Sequence, residues 1–179
     1  MARFEVVTKY LNSKINLIPT CKTEQSAGYD FYVANNIVIP SWENLQTNYL
    51  NNWENGEPFT LDEIKKIMKK YGVRPSLVSS GVKCYLDEGT YLELSVRSST
   101  PLNAGLVLAN GVGIIDADYA DNPDNEGEIF FQLINLTPFD IILRAGDCIG
   151  QGIIKPYLHA ENGRILAEQR KGGFGSTNV

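Results

Sequence analysis

Residues 111–119 of the sequence combine glycines, a short apolar run, two carboxylates and an aromatic ring in the order Gly-Val-Gly-Ile-Ile-Asp-Ala-Asp-Tyr. Glycine allows a ligand to approach the main chain closely. Asp116 follows the apolar run directly, at the edge of a dry region where a carboxylate can act as a general base. The segment therefore predicts a hairpin that presents its backbone to a flat ligand beside Asp116. On local sequence alone, a β-turn with its acidic residues in water accounts for the same pattern.

Cations stand beside hydroxyl groups in two other segments. Arg97-Ser98-Ser99 directly follows a predicted strand, and residues 170–177 have the sequence Arg-Lys-Gly-Gly-Phe-Gly-Ser-Thr. Charge and short hydrogen-bond donors in this combination can bind phosphate, and an aromatic ring between glycines can stack on a base. An exposed turn and a disordered tail, respectively, are the alternatives for the two segments.

The composition excludes several function classes. The chain has 179 residues and a net charge of −5, from 16 Lys+Arg against 21 Asp+Glu, which argues against binding to nucleic-acid backbones. Three separated cysteines and a single histidine argue against a structural zinc site, a disulfide framework and a histidine-based triad. A chain of this length predicts a single domain over residues 1–179. Because no apolar run reaches 18 residues, we also expect no membrane contact and a cytoplasmic location.

Short β-branched and aromatic runs separated by turn residues dominate the chain and predict an all-β fold. The turn at Asp87-Glu88-Gly89 predicts a hairpin over residues 81–96. Residues 41–75 differ, since they are first Asn-rich and then helical, with a capping box from Thr60 to Glu63 and a stop at Gly72. We expect this helix to cover apolar surface of the sheets; an interaction surface for a protein partner is the alternative.

Five segments in chain order carry a family resemblance. They are Ala27 to Phe31, Arg97 to Ser99, Asn110 to Tyr119, Gly146 to Gln151, and Arg170 to Thr177. In this order they resemble the five motifs of the trimeric dUTPase family, over most of residues 20–40 and 77–179. The resemblance implies an all-β, jelly-roll-like β-barrel with a small helical insertion. It also implies a homotrimer whose active sites are shared between subunits.

The reaction implied by the resemblance is dUTP + water → dUMP + pyrophosphate, with Mg²⁺ on the triphosphate. This reaction limits uracil in DNA and supplies dUMP for dTMP synthesis. Asp116 would activate the water that attacks the α-phosphorus, and Asp30 would hold the metal through water, as suits a cation that loses its waters reluctantly.

The resemblance also implies residues that bind the substrate. The uracil edge would be contacted by Asn110 and the main chain of Gly113, Ile114 and Ile115, while Tyr119 would pack under the deoxyribose and exclude a 2′-hydroxyl. Phe174, beside Gly175, would stack on the uracil. The phosphate groups would be bound by Arg97, Ser98, Ser99, Gln151, Arg170, Ser176 and Thr177.

The sequence departs from the family pattern at three places. Residues 121–126 intervene between Ala120 and Gly127, Arg170 is one residue nearer to Gly172 than in the commonest motif, and residues 41–75 form an insertion. Such variants are typical of phage and prophage members, so we expect a bacterial or phage-infected host cell. The C-terminal arm, residues 169–179, is expected to be mobile when empty.

Two other functions remain open at this stage. A dCTP deaminase shares the fold and the Arg-Ser-Ser motif, but its catalytic glutamate aligns with Gln132, and an amide cannot transfer protons in this way. A nucleotide-gated regulatory protein would use residues 41–75 to bind a partner. A pure binding protein, however, has no need of the carboxylate of Asp116.

Overall fold

The computed structural model describes residues 1–45, 59–72 and 74–163, together with Gly173. Within these residues, strands predominate over helices. The helices are a 3-10 turn at Thr8–Tyr10, α1 at Leu61–Tyr71 and α2 at Ser99–Ala104. The strands are β1 (Arg3–Val6), β2 (Tyr29–Tyr32), β3 (Ile37–Ile39), β4 (Ser76–Ser79), β5 (Val82–Tyr85), β6 (Thr90–Ser95), β7 (Leu106–Leu108), β8 (Gly113–Ile115), β9 (Phe130–Asn135), β10 (Ile141–Leu143) and β11 (Cys148–Pro156).

The strands of the described residues pair into four antiparallel sheets. The largest has the order β2-β11-β6-β8, the next has the order β4-β9-β7, and β1-β5 and β10-β3 form two-stranded ribbons. The all-β prediction with a helical insertion is confirmed. The arrangement is jelly-roll-like, although the pairings of the described residues do not join into one closed barrel.

The core lies where the two larger sheets face each other. Phe31 of β2 and Phe131 of β9 are fully buried, with ring centroids 5.5 Å apart. Along β9, buried residues alternate with half-buried ones, as expected for a strand with one face on a core. Leu92 and Leu94 of β6 belong to the same core cluster. Burial of these side chains therefore fixes which face of each strand remains available for a site.

Two local predictions about strand pairing were wrong. Residues 81–96 do not form a hairpin, because β5 pairs with β1 whereas β6 pairs with β11 and β8. The turn at Gly89, with φ of 75°, instead leads the chain from one sheet into another. Residues 111–119 contain one strand, β8, whose partner is β6 rather than a strand of the same segment. In both cases long-range pairing overrides the local turn signal.

Helix α1 has the predicted termini. Thr60 accepts a hydrogen bond from the Glu63 N–H, the Glu63 carboxylate accepts from the Thr60 N–H at 2.8 Å, and Gly72 ends the helix in the left-handed conformation. Ile64, Ile67 and Met68 are half-buried, but none belongs to the core cluster. The remainder of the 41–75 insertion, residues 46–58 and 73, lies outside the described residues.

Candidate active site

One cavity, of about 90 Å³, lies beside β8 and β9 and is lined by four of the residues predicted to bind a nucleoside, Asn110, Gly113, Ile115 and Tyr119, but not by Ile114; we call it the nucleoside cavity. Tyr119 forms part of its wall and is 6% exposed. Its lining residues are Leu94, Leu108, Asn110, Gly113, Ile115, Tyr119, Phe130, Gln132 and Gly173. Segments that are distant in sequence therefore meet here.

The backbone of β8 closely approaches its neighbour because Gly113 has no side chain. A Cβ at Gly113 would lie 3.2 Å from the Cβ of Leu94 on β6. The turn before β8 is tight, since Val112 donates its N–H to the carbonyl of Asn110 at 2.8 Å, and Gly111 has φ of 71°. Ile114 is half-exposed on the opposite face from Gly113. The turn therefore places main-chain groups, rather than bulky side chains, at the cavity.

A second cavity, of about 270 Å³, is lined by three of the residues predicted to bind phosphate and metal, Asp30, Arg97 and Gln151, but not by Ser98 or Ser99; we call it the phosphate cavity. Asp30 and Gln151 are register partners on β2 and β11, and Arg97 lies at the end of β6 with its Nε 3.5 Å from Asp30 Oδ1. The lining residues are Lys22, Ser26, Ala27, Gly28, Asp30, Arg97, Gln151 and Ile153. Pairing of β6, β11 and β2 thus brings together three of the five sequence segments.

Asp30 has an unusual environment for a carboxylate. It is 4% exposed, and its Oδ2 atom has no hydrogen-bond partner. A buried polar atom in this state carries a desolvation cost, which a bound water or cation would offset. Among the described residues, no group of three or more His, Cys, Asp or Glu could hold a metal. A single buried carboxylate with an unpartnered oxygen fits Mg²⁺ on a triphosphate, as Mg²⁺ commonly binds to one or two carboxylates plus phosphate oxygens.

The charge of Arg97 is maintained by its neighbours. Its Nη1 lies 3.8 Å from the Cys148 sulfur, and the hydrogen bond to this sulfur and the charge of Asp30 both raise the pKa of Arg97. Ser98 and Ser99 are exposed where α2 begins. Gln151 donates from Nε2 to the Ser95 hydroxyl at 3.3 Å. The cation and these polar groups are therefore available to an incoming anion.

Asp116 lies outside both of these cavities. It follows β8, is exposed, and lines a cleft of about 570 Å³ together with Tyr91, Asp118, Tyr157 and His159. In a single chain, the candidate catalytic carboxylate is thus solvated and is separated from the phosphate cavity. Asp116 is close in sequence to the nucleoside cavity, because the preceding residue, Ile115, lines that cavity.

The C-terminal arm can be placed at one residue only. Gly173 lies against Tyr119, since a Cβ there would be 2.9 Å from Tyr119 Cε2. The predicted ligand-binding residues of the arm lie outside the described residues; they are Arg170, Phe174, Gly175, Ser176 and Thr177.

Several residues that line the cavities were not predicted as ligand-binding residues by the sequence analysis, and Lys22 and Gln132 are the ones with long polar side chains. Lys22 lines the phosphate cavity, and its hydrogen bond to the Tyr32 hydroxyl, at 2.8 Å, raises its pKa. Gln132 lines the nucleoside cavity, where it adds a second carboxamide to that of Asn110. The alternation of β9 is the signal that could have identified Gln132, because it places this residue on the face opposite buried Phe131 and Leu133. No local signal marks Lys22.

Comparison with known proteins identifies the family. The dUTPase family model matches residues 64–178. A deoxyuridine 5′-triphosphate nucleotidohydrolase from Lactococcus lactis is 39% identical over 177 residues, which cover 98% of this chain and 97% of the relative. The chain belongs to the dUTPase family. Among solved structures, the dUTPase from Streptococcus mutans superposes on this dUTPase with a TM-score of 0.68 and 35% identity, covering 89% of this chain and 99% of that one.

A more distant structure extends the likeness of fold. A mutant dUTPase from phage phi11 of S. aureus has a TM-score of 0.59 and 15% identity, and covers 92% of this chain and 96% of that one. That structure reveals the coordination of a structural Mg(II) ion in the phage protein.

Among the described residues of the present chain, none of the helices has the length and apolar character that a membrane span requires.

Proposed function

We propose that this dUTPase hydrolyses dUTP to dUMP and pyrophosphate at a site composed of the nucleoside cavity, the phosphate cavity and Asp116. One observation carries the proposal beyond the family assignment. Asp30, Arg97 and Gln151, from three distant segments, line a single cavity, and the buried Asp30 presents an unpartnered oxygen there. This arrangement suits a triphosphate with its cation.

In the nucleoside cavity, uracil binds against the backbone of Gly113 to Ile115 and the carboxamide of Asn110. Tyr119 packs under the deoxyribose, where its buried ring leaves no space for a 2′-hydroxyl. Phe174 of the C-terminal arm, followed by Gly175, covers the base. The contact between Gly173 and Tyr119 supports this placement, because it brings the arm to the cavity.

Arg97 supplies the positive charge in the phosphate cavity, and the exposed hydroxyls of Ser98 and Ser99, which follow it in the chain, supply short donors. Ser98 lies nearest the leaving group, where negative charge develops in the transition state. Gln151 contacts the α-phosphate region. Arg170, Ser176 and Thr177 of the arm bind the outer phosphates. Asp30 would hold Mg²⁺ through water, and the bound ion would supply positive charge against the triphosphate.

Asp116 acts as the general base. Its carboxylate accepts a proton from a water molecule, whose oxygen forms a bond to the α-phosphorus. The bond from the α-phosphorus to the oxygen that bridges to the β-phosphorus breaks, and that oxygen leaves with pyrophosphate. Asp116 is exposed in the single chain, so its carboxylate is accessible to a water molecule.

The complete site requires more than one copy of the chain. Asp116 and the phosphate cavity occupy separate depressions of a single chain, which supports a homotrimer with active sites at subunit interfaces. In such an assembly, Asp116 of one subunit faces the phosphate cavity of another. The size of the assembly can be measured by sedimentation equilibrium.

The reaction is tested by measuring pyrophosphate release from dUTP, dCTP, dTTP and UTP with Mg²⁺. We expect turnover of dUTP alone. Ammonia release from dCTP would instead indicate deamination, and would show that Gln132 does not prevent it. Absence of turnover with all four nucleotides, in a protein that still binds dUTP, would favour a nucleotide-gated regulatory protein.

The point of attack is tested by hydrolysis in ¹⁸O-labelled water. Attack on the α-phosphorus places the label in dUMP, and we expect one labelled oxygen there. Label in the pyrophosphate would show attack on the β-phosphorus and would contradict the geometry proposed for Asp116.

A further inference from the structure

The 121–126 loop, which departs from the family pattern, makes direct hydrogen bonds to Tyr119 in the nucleoside cavity. Asn125 donates from Nδ2 to the Tyr119 hydroxyl at 2.8 Å, and Asn122 donates from Nδ2 to the Tyr119 carbonyl at 2.9 Å. The hydroxyl in turn donates to the carbonyl of Glu128 at 3.0 Å. Tyr119 is therefore held at its backbone and at the far end of its ring.

The loop is held in one conformation by its own hydrogen bonds. Asn122 is 5% exposed, donates to Asn125 Oδ1 at 2.7 Å, and accepts at Oδ1 from the N–H groups of Asp124 and Asn125. Asn125 Oδ1 also accepts from the Gly127 N–H at 3.1 Å. Asp121 and Glu126, at the two ends, have φ values of 58° and 62°, which are unfavourable for residues with side chains. The hydrogen bonds offset this backbone strain.

The loop is also attached to the rest of the molecule by an ion-pair cluster. Lys83 of β5, 7% exposed, lies 2.5 Å from Asp121 Oδ1 and 3.0 Å from Glu126 Oε1. The Tyr85 hydroxyl donates to Asp121 Oδ2 at 2.7 Å, and the Thr8 N–H donates to Glu126 Oε2 at 2.9 Å. Because both ends of the loop are attached to structure outside the loop, Asn125 has a fixed position from which to hold Tyr119.

We propose that Asn125, supported by Asn122, is a positioning residue that fixes the ring of Tyr119 and so sets the discrimination between dUTP and UTP. This inference rests on the proposed function, in which the Tyr119 ring excludes the 2′-hydroxyl. The ring hydroxyl is held between Asn125 and the Glu128 carbonyl, so the ring cannot swing aside for a ribose, whereas loss of the Asn125 hydrogen bond leaves a single hydrogen bond at that end of the ring. Small displacements of this kind produce large rate differences in enzyme sites.

The test compares wild type with Asn125→Ala, Tyr119→Phe and the double variant. Selectivity is measured as the ratio of kcat/KM for dUTP to that for UTP. We expect each single variant to lower this ratio by about tenfold. We expect the double variant to lower it no further than Tyr119→Phe does, because the hydrogen bond that Asn125→Ala removes is already absent in Tyr119→Phe. Asp124→Ala is the matched control, since it contributes its N–H but no side-chain contact to the network, and we expect wild-type selectivity.

Three results would overturn the inference. These are an equal loss of kcat/KM for both nucleotides in Asn125→Ala, additive losses in the double variant, or unchanged selectivity in Tyr119→Phe. The last variant leaves the loop intact, so it provides the test if Asn125→Ala does not fold.

Measurements of ligand affinity distinguish a failure of this inference from a failure of the proposed function. The ratio of Kd for non-hydrolysable imido analogues of dUTP and UTP gives the same selectivity without turnover. A wild-type protein that binds the dUTP analogue selectively but hydrolyses nothing would refute the proposed function alone. The variants would then still decide the role of Asn125 through the Kd ratio. A wild-type protein that binds both analogues equally would refute the inference.

Discussion

Gly28 and Gln151 are neighbours in the lining of the phosphate cavity, and the absence of a side chain at Gly28 leaves room for the Gln151 carboxamide. A Cβ at residue 28 would lie 2.8 Å from Gln151 Oε1. The clash is with the end of a flexible side chain, which can move away without disturbing the sheet. Gly150, one residue from Gln151, differs because a Cβ there would contact the Phe131 ring and the Ser95 carbonyl.

These contacts predict different outcomes for two similar substitutions. Gly28→Ala should leave the urea-unfolding midpoint nearly unchanged and raise KM for dUTP by about tenfold, because Gln151 is displaced from the phosphate position. Gly150→Ala should instead lower the unfolding midpoint, because rigid core groups oppose it. Steady-state kinetics and urea unfolding on both variants check the pair. A wild-type KM in Gly28→Ala would contradict the role of Gln151.

The unpartnered oxygen of Asp30 predicts a specific dependence on magnesium. In Asp30→Asn, the carboxylate charge is lost while the side-chain shape remains, so we expect the half-saturating Mg²⁺ concentration to rise by about tenfold or more. Calorimetric titration of Mg²⁺ into the protein with a dUTP imido analogue measures the same change without turnover. Equal Mg²⁺ requirements in variant and wild type would exclude Asp30 from the metal site.

At the scale of elements, the Lys83 cluster connects a strand to the 121–126 loop. Burial alone would lower the pKa of Lys83, but its hydrogen bonds to Asp121 and Glu126 outweigh this effect and raise it well above the ordinary value of 10.5. The hydrogen bond from Lys83 lowers the pKa of Asp121, and the backbone hydrogen bond from Thr8 followed by that from Lys83 lowers the pKa of Glu126. All three shifts show that the charged forms stabilise the fold.

The signs of these shifts give a prediction about pH. The carboxylates stabilise the fold above their ordinary pKa values of 3.8 and 4.5, and this contribution is lost as the pH falls through their lower folded values. The contribution of Lys83 is present at neutral pH and is lost only as the pH rises through its raised pKa. Lys83→Met should therefore lower the free energy of unfolding at pH 7 by on the order of 1 kcal/mol, a modest figure because the carboxylates are partly solvated.

Urea unfolding between pH 7 and pH 2.5 checks this prediction. The difference between wild type and Lys83→Met should shrink as the pH falls below 4.5. Lys69→Met, on the exposed face of α1, is the matched control and should behave as wild type. A difference that stays constant over the whole range would show that the loss arises from packing rather than from the ion pairs.

The elements also show which parts of the fold could be predicted from sequence. The termini of α1 follow from Thr60, Glu63 and Gly72, which act within one or two turns, and these were predicted correctly. The partner of β5 could not be predicted, because β1 lies almost eighty residues earlier and only tertiary packing selects it. The contacts of the 121–126 loop with Lys83 and Thr8 are long-range for the same reason.

At the scale of the whole molecule, the candidate site was predicted through motif order rather than through local chemistry. Asp30, Arg97 and Gln151 are individually unremarkable in sequence, and the structure unites them because β2, β11 and β6 are neighbours in one sheet. Lys22 was missed because no motif contains it.

The role of residues 41–75 as an interaction surface for a protein partner stays a prediction. A pull-down with and without these residues tests it, and identical partner lists would contradict it.

Removal of the C-terminal arm tests the shared site at this scale. Truncation of the chain after Gln169 should abolish dUTP turnover, because the proposed ligands for the base and the outer phosphates are lost, while the fold and the proposed trimer should remain. Sedimentation equilibrium and circular dichroism measure assembly and folding beside the activity assay. Normal hydrolysis by the truncated protein would show that the arm does not complete the site.

The central claim, that Asp116 activates the attacking water, is tested most directly by comparing Asp116→Asn with Asp118→Asn. Both carboxylates are exposed and line the same cleft, so the second variant controls for the loss of charge. The measurement is kcat for dUTP beside Kd for its imido analogue. We predict that Asp116→Asn binds as wild type while kcat falls on the order of hundreds-fold or more, and that Asp118→Asn keeps most of its activity. A wild-type kcat in Asp116→Asn would contradict the claim.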